Sequence, residues 1–262
     1  MLVSHGTTRS RSSKASPPPC GSAAGEPTSA AEAARRTLRI FLWSISHSCL
    51  RPNNHDTRFF TETPFALLMT SPELISHLRS LGSEAGIAGQ KRSGIEPKTP
   101  ILGVAVPVLR DLAKAHRLNH PLALDLWITD IHDARLLATF IADPARLTRD
   151  QSERWVRECD TWALTDALAF LVDRTPFAAT KAHLWSTRQG EFMKRAGFAV
   201  MAGMAIHRKE LTDDVFLAFL PDIVRESGDD RLYVKKAVSW ALRQIGKRNP
   251  ALRKAAVAES AG

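Results

Sequence analysis

From Ser71 onward, apolar residues recur at the three- and four-residue spacing of amphipathic helices. Short segments rich in Pro, Asp or Gly separate these stretches, and such residues end helices. No stretch alternates apolar and polar residues as a half-buried strand would, which argues against βαβ units and a Rossmann-type nucleotide site. The pattern therefore predicts an all-α fold. The predicted helices span residues 72–81, 106–116, 121–129, 132–142, 148–158, 162–172, 176–186, 190–207, 213–225, 231–247 and 250–257.

About ten short helices can pack in two ways, as a globular bundle or as a stack of helix pairs. Stacked pairs would give units of roughly 35–45 residues, the size of HEAT-type repeats. The internal sequence repeats are very weak, so periodicity alone leaves both arrangements open. The link at residues 82–100 is rich in Gly and Lys and is predicted to be a loop.

Residues 1–68 have a different composition, because Ser, Ala, Pro and Gly dominate residues 11–34. Such a segment buries too little apolar surface to offset its chain entropy. Three interpretations stay open: a disordered tail, an Arg- and Ser-rich targeting peptide, or upstream sequence that is not translated. We favour the third, because Met69 precedes a helix start in which Ser71 would be the N-cap and Pro72 the first helical residue. The predicted domain is therefore residues 69–262.

Composition and charge narrow the function only modestly. The chain carries 36 Lys and Arg against 27 Asp and Glu, a net charge of +9, which suits a polyanionic partner but does not identify one. No apolar run is long enough for a transmembrane helix. Three cysteines form no zinc-like or disulfide spacing, and His116 and His120 are interpreted as two solvated histidines at a helix end rather than metal ligands.

The predicted helix at residues 231–247 carries an unusual polar face. At 100° per residue, Val234, Val238, Ala241 and Ile245 form the core stripe, and Trp240 falls on the opposite side among cations. Those cations are Lys236, Arg243 and Lys247. We expect an exposed indole flanked by basic residues, a combination that nucleic-acid grooves use, although a packed Trp on a solvated basic face is the alternative.

The predicted helix at residues 162–172 repeats this arrangement. Trp162 and Asp166 are four residues apart, opposite the apolar side formed by Leu164, Leu168 and Leu171. A bare carboxylate beside an indole could stabilise the positive charge that develops on a sugar when its glycosidic bond breaks. A surface acid satisfied by a nearby Arg is the alternative. Arg195 could clamp a phosphate or pair with an acid, and both remain open.

These segments also carry a family resemblance. GVAVPVLR at residues 103–110, DTWALTD at 160–166, FMKR at 192–195 and YVKKAVSWALR at 233–243 occur in that order. Together they resemble the AlkD-like DNA alkylation repair glycosylases over roughly residues 71–257. The resemblance implies a right-handed solenoid of HEAT-like helix pairs whose concave face holds DNA. It also implies hydrolytic release of N3- and N7-alkylated purines, such as 3-methyladenine and 7-methylguanine, from double-stranded DNA without metal or cofactor.

By position, the resemblance implies catalytic roles for Asp166, Trp162 and Trp240, the tryptophans packing on the lesion's deoxyribose. It implies phosphate contacts for Arg195 and Arg243, and Lys236 and Lys247 extend that DNA-binding set. The chain departs from the family at Phe192, where family members often have Trp. A monomer in the bacterial cytoplasm, associated with the nucleoid rather than a membrane, is expected. A non-catalytic DNA-structure-binding protein and a helical-repeat scaffold for protein partners are the alternative functions.

Overall fold

The computed structural model describes residues 69–260, and within them every regular element is a helix. The prediction of an all-α fold is therefore confirmed for these residues. The segment at residues 1–68, with its three interpretations, lies outside the described residues. The helices are α1 (Ser71–Leu81), α2 (Glu84–Arg92), α3 (Val106–Ala115), α4 (His120–Trp127), α5 (His132–Ile141), α6 (Arg149–Arg157), α7 (Trp162–Val172), α8 (Ala178–Ser186), α9 (Glu191–His207), α10 (Asp213–Leu217), α11 (Leu220–Arg225), α12 (Leu232–Gly246) and α13 (Pro250–Ser260).

The helix starts follow local capping chemistry. The expected N-cap at Ser71 was wrong by one residue: Thr70 is the N-cap, and its backbone N–H donates to the Glu73 carboxylate at 2.7 Å. This capping box satisfies a backbone donor that the helix itself leaves free. The side chain of Thr161 caps α7 by accepting from the Leu164 backbone N–H.

Two predicted elements differ from the structure. The predicted loop at residues 82–100 contains α2, which buries none of its residues and so lacks the apolar stripe that reveals a helix. Its Gly86 lies against the carbonyl of Gly103, too close for a Cβ. The predicted helix at residues 213–225 is two helices, and Pro221 stands in the first turn of the second. Proline fits in a first turn because the backbone N–H groups there have no acceptor within the helix, whereas the interior of one continuous helix would need that N–H.

The helices pack as successive pairs. α4 packs against α5, α6 against α7, and α8 against α9, while α11 contacts α12. The second helices of these pairs form a row in which α5 contacts α7, α7 contacts α9, and α9 contacts α12. Such stacking on immediate neighbours distinguishes a helical-repeat array from a globular bundle.

α9 occupies the centre of this row, and small residues let its neighbours approach. Gly197 lies against the backbone of Ser186 on α8, and Gly203 lies against the carboxylate of Asp173 at the end of α7. A Cβ at either position would require the contacting helix or acid to shift. These small residues explain how α9 can contact α7, α8 and α12 at once.

The structure also bears on the expectations about histidines, cysteines and membrane-spanning helices. His116 and His120 are buried rather than solvated. The Nε2 of His120 lies 3.1 Å from the Gln151 side-chain oxygen. Cys159 is a free, buried thiol, and burial raises its pKa. Among the described helices, none is both long and apolar enough to cross a membrane.

Candidate functional site

A buried ion pair joins α7 to α9. The Arg195 guanidinium donates to both carboxylate oxygens of Asp166, from Nε at 2.9 Å and from Nη2 at 2.7 Å. Its Nη1 donates to the backbone carbonyl of Tyr233 on α12 at 2.8 Å. The carboxylate, the guanidinium and the N-terminal turn of α12 therefore form one hydrogen-bonded unit across three helices.

Asp166 is not the bare carboxylate that the sequence predicts, because it is only 2% exposed. The reason is that α7 lies between α5, α6 and α9, so that both sides of this helix are covered and not the apolar side alone. Burial raises the pKa of Asp166, while the charge and hydrogen bonds of Arg195 act to lower it. Of the two roles open for Arg195, pairing with an acid is the one seen here.

Trp162 begins α7 and is also buried. Its indole N–H donates to the backbone carbonyl of Ser93 at 3.0 Å. Ser93 ends α2, 69 residues earlier in the chain. Trp162 therefore lies one helical turn from Asp166, as predicted, but its ring orientation depends on a loop from the N-terminal helices.

Trp240 is not exposed, which corrects the expectation from the helical wheel. It is 5% exposed because Phe170 of α7 packs edge-on against the indole, with ring centroids 5.8 Å apart. Its angular position among the cations of α12 is as predicted, but the neighbouring helix covers the ring. The indole N–H of Trp240 is buried and has no hydrogen-bond partner among the described residues.

The cations flanking Trp240 remain accessible. Arg243 and Lys247 are exposed, and Lys236 is half-buried with its ammonium 5.9 Å from the centre of the Tyr233 ring. The Arg243 guanidinium donates to the Ser239 hydroxyl one turn earlier. The predicted basic face of α12 is thus present, with Trp240 buried beneath it rather than displayed on it.

A second charged network fixes the start of α12 relative to α9. The buried Lys194 ammonium pairs with Glu226 and lies 3.3 Å from the Asp229 carboxylate. Arg231 also pairs with Asp229, at 2.5 Å. Phe192 lies beside this network, with its ring centroid 5.4 Å from that of Tyr233. Phe192 therefore contacts α12 directly and is half-buried.

Comparison with known proteins identifies the family. A family model described as DNA alkylation repair enzyme matches residues 74–262. The chain belongs to the DNA alkylation repair enzyme family. The match includes all four segments on which the predicted resemblance rests, so the assignment to a DNA alkylation repair family made from those segments is confirmed.

Two further similarities accompany this DNA alkylation repair family match. An uncharacterized protein, Lin0241 of Listeria innocua, is 25% identical over 137 residues, which are 51% of this chain and 61% of that protein. The chain thus spans about three fifths of this curated relative. A solved structure described as a new family of proteins related to the HEAT-like repeat DNA glycosylases with affinity for branched DNA structures is similar with a TM-score of 0.65 and 22% identity, covering 73% of this chain and 82% of that chain. This likeness confirms the predicted HEAT-like fold.

The structure brings most of the predicted residues together. Asp166 and Arg195 touch, and Trp162 lies one turn from Asp166 on α7. Trp240 joins α7 through Phe170, a residue that sequence reasoning passed over. Tyr233 was also not among the predicted site residues, although it is the first residue of the segment at 233–243 that carries part of the family resemblance. No acidic or histidine cluster suited to a metal ion occurs in the described part of the chain.

Proposed function

We propose that the protein is a DNA glycosylase that hydrolyses the N-glycosidic bond of N3- and N7-alkylated purines in double-stranded DNA. The observation that carries the proposal is the Asp166 carboxylate, which lies on the same helix as Trp162 and accepts two hydrogen bonds from Arg195 of α9. It occurs in a chain of the DNA alkylation repair enzyme family. Fixed geometry matters here because a catalytic group gains most when it need not reorganise during the reaction.

The chemistry assigned to this site needs one carboxylate. An N3- or N7-alkylated purine already carries positive charge and leaves without being protonated, so no second, acidic carboxyl is required. As the bond breaks, positive charge develops on the deoxyribose, and the Asp166 carboxylate stabilises it and orients the attacking water. Trp162 and Trp240 would pack on the sugar and add cation–π stabilisation.

DNA binding is assigned to the basic face of α12. Lys236, Arg243 and Lys247 would neutralise phosphates and release counterions. Phe192 would pack beside the same strand, and Arg195 would act near a phosphate while remaining bonded to Asp166. The proposed partner is duplex DNA that contains alkylated purines, with a single copy of the chain bound at each lesion.

The test compares two buried aspartates, one within α7 and one directly after its last residue. Asp166 pairs with Arg195, and Asp173, two turns later, pairs with His207 at 2.6 Å. Purified wild type, Asp166→Asn and Asp173→Asn are incubated with methylated duplex DNA, and released 7-methylguanine and 3-methyladenine are measured. Wild type and Asp173→Asn should release both bases, whereas Asp166→Asn should fall by about a hundredfold or more. Equal release by wild type and Asp166→Asn would contradict the proposal.

A second candidate is a DNA-binding protein that recognises branched structures without cleaving a bond. Two observations favour it: both oxygens of Asp166 are already engaged by Arg195, and the structural relative is described by its affinity for branched DNA. It predicts no base release by wild type, together with tighter binding to a four-way junction than to a linear duplex of equal length. Asp166→Asn should leave that binding intact.

A further inference from the structure

One tyrosine links the proposed reaction centre to the N-terminal helices. Tyr233 lies in the first turn of α12, and it is the one tyrosine of the whole chain. Its backbone carbonyl accepts from Arg195 Nη1 at 2.8 Å, and Arg195 in turn holds Asp166. The backbone of Tyr233 is therefore one hydrogen bond away from the guanidinium that orients the carboxylate.

The side chain of Tyr233 bonds in another direction. Its phenol O–H donates to the Gly94 carbonyl at 3.1 Å, across 139 residues of sequence. The preceding carbonyl, that of Ser93, accepts from the Trp162 indole at 3.0 Å. Two consecutive carbonyls of one turn thus hold one residue of α7 and one of α12.

The geometry of this turn is restrictive. Gly94 has a φ of +74°, and a Cβ there would meet the Tyr233 hydroxyl at 2.5 Å. Glycine therefore serves both the left-handed backbone and the close approach of the phenol. The next residues add a third attachment, since the Lys98 backbone N–H donates to the Asp160 carboxylate at 2.6 Å.

We propose that Tyr233 is a positioning residue for base release, acting through the turn at residues 93–94 on Trp162 and through its own carbonyl on Arg195 and Asp166. The inference rests on the proposed glycosylase function. The phenol O–H fixes the turn whose Ser93 carbonyl orients the Trp162 indole. The ring lies against Phe192 and within 5.9 Å of the Lys236 ammonium, and these contacts fix the turn of α12 that receives Arg195.

The decisive variant is Tyr233→Phe, which removes the phenol O–H and keeps the ring contacts and the backbone carbonyl. Single-turnover base release should fall about three- to tenfold, the range expected for loss of one hydrogen bond. Duplex affinity should change less than twofold, because the cations of α12 are untouched. Gly94→Ala, which strains the turn and displaces the phenol, should reduce release at least as much.

A matched control removes a similar bond elsewhere. Thr129 follows α4, and its hydroxyl donates to the Leu126 carbonyl at 2.7 Å. Thr129→Val should leave release unchanged. A second readout is ¹⁹F NMR. Because the sequence has one tyrosine, incorporation of 3-fluorotyrosine gives a single ¹⁹F resonance. This resonance should shift when Trp162→Phe removes the indole N–H that donates to the Ser93 carbonyl.

The outcomes separate the two proposals. If wild type releases base and Tyr233→Phe matches it, or if the ¹⁹F resonance ignores Trp162→Phe, the positioning role is wrong and the glycosylase proposal stands. If wild type itself releases no base, the glycosylase proposal fails and the positioning role fails with it. Reduced release with an unchanged duplex affinity, and with Thr129→Val active, supports the inference.

Discussion

The buried pair of Asp166 and Arg195 is the residue-scale feature on which the proposed chemistry depends. A carboxylate with 2% exposure would be strongly disfavoured as an anion if it stood alone. Its ionised form is supported by the two hydrogen bonds from Arg195, which match the fork of the guanidinium to both oxygens. Arg195 therefore supplies both orientation and charge to the same carboxylate.

Removing the charge of either Asp166 or Arg195 alone should lower the stability of the protein. Arg195→Gln leaves a buried carboxylate without its partner and should lower the free energy of unfolding by about 3–5 kcal/mol. Asp166→Asn should also destabilise, and the double variant should cost less than the sum of both because it leaves no unpaired charge. Urea unfolding of the four proteins measures this coupling. Strict additivity would show that the two residues do not depend on each other.

Glu153 on α6 is a second acid whose environment controls its charge. Partial burial acts to raise its pKa, but hydrogen bonds from the Trp185 indole at 2.9 Å and the Lys181 ammonium at 2.9 Å prevail and lower the pKa from 4.5 to about 2. The folded protein therefore keeps Glu153 ionised under conditions in which the unfolded chain protonates it.

This depressed pKa predicts acid sensitivity. Because the folded pKa lies below the unfolded one, the stabilisation is complete above pH 4.5 and disappears as pH falls toward 2. Its full size is on the order of 3 kcal/mol. Glu153→Gln should be less stable than wild type at pH 7 by up to that amount, and the difference should shrink by pH 3. Denaturant unfolding at both pH values measures it, and a pH-independent difference would argue against the assignment.

At the scale of single residues, the sequence indicated how the candidate residues are arranged along their helices but not how deeply they are buried. The wheel correctly placed Trp240 with Lys236 and Arg243, yet it could not show that Phe170 would cover the indole. Asp166 was correctly paired with Trp162 along α7, whereas Arg195, 29 residues away, leaves no local signal of its contact. Helical angle is a property of one segment, and burial is set by the segments packed against it.

Among the elements, α9 is the helix on which the site is assembled. It contacts α7, α8 and α12, and it carries Arg195 together with the small residues that allow this crowding. Gly197 makes the closest backbone approach of these, since a Cβ there would meet the Ser186 nitrogen of α8. Backbone cannot swing aside as a flexible side chain can, so the approach tolerates no added carbon without moving a helix.

Two glycines provide a matched test of this contact. Gly197→Ala should destabilise by about 1–3 kcal/mol, because the new Cβ meets backbone on α8. Gly228→Ala adds the same carbon where nothing lies within 4 Å, and it should be neutral or slightly stabilising. Thermal and denaturant unfolding of both variants provide the measurement. An equal response would mean that α8 and α9 can separate without cost.

Helix existence was more predictable than helix boundaries. α7 begins and ends where the pattern predicts, because Thr161 caps it and its apolar residues are continuous. The sequence did not predict α2, because a helix without a fully buried residue and with Gly86 and Gly89 shows neither an apolar stripe nor a high helix propensity. The missing element matters for the proposed function, since α2 ends at the turn whose carbonyls accept from Trp162 and Tyr233.

At the scale of the described part of the molecule, the proposed function requires the cations of α12 to bind the phosphates of duplex DNA. Net charge was a weak guide, because residues 69–262 hold 28 basic against 23 acidic residues. Many of these charged side chains form ion pairs with each other, as Lys194 does with Glu226 and Asp229. The sequence could not distinguish such internal pairs from the exposed Arg243 and Lys247, because exposure depends on packing.

Salt dependence separates the cations that contact phosphate from those that do not. If Lys236, Arg243 and Lys247 each neutralise one phosphate, then each single change to Gln should reduce the slope of log affinity against log salt by about 1. Arg154→Gln removes one charge from the exposed surface of α6, which lies outside the row of helices that contains α12, and should leave the slope unchanged. Duplex affinity measured between low and physiological salt gives all five slopes. If the slope fell equally in all four variants, net charge alone would govern binding. If it fell in none of them, the basic face of α12 would not be part of the DNA interface, because a phosphate contact cannot be lost without changing the number of counterions released.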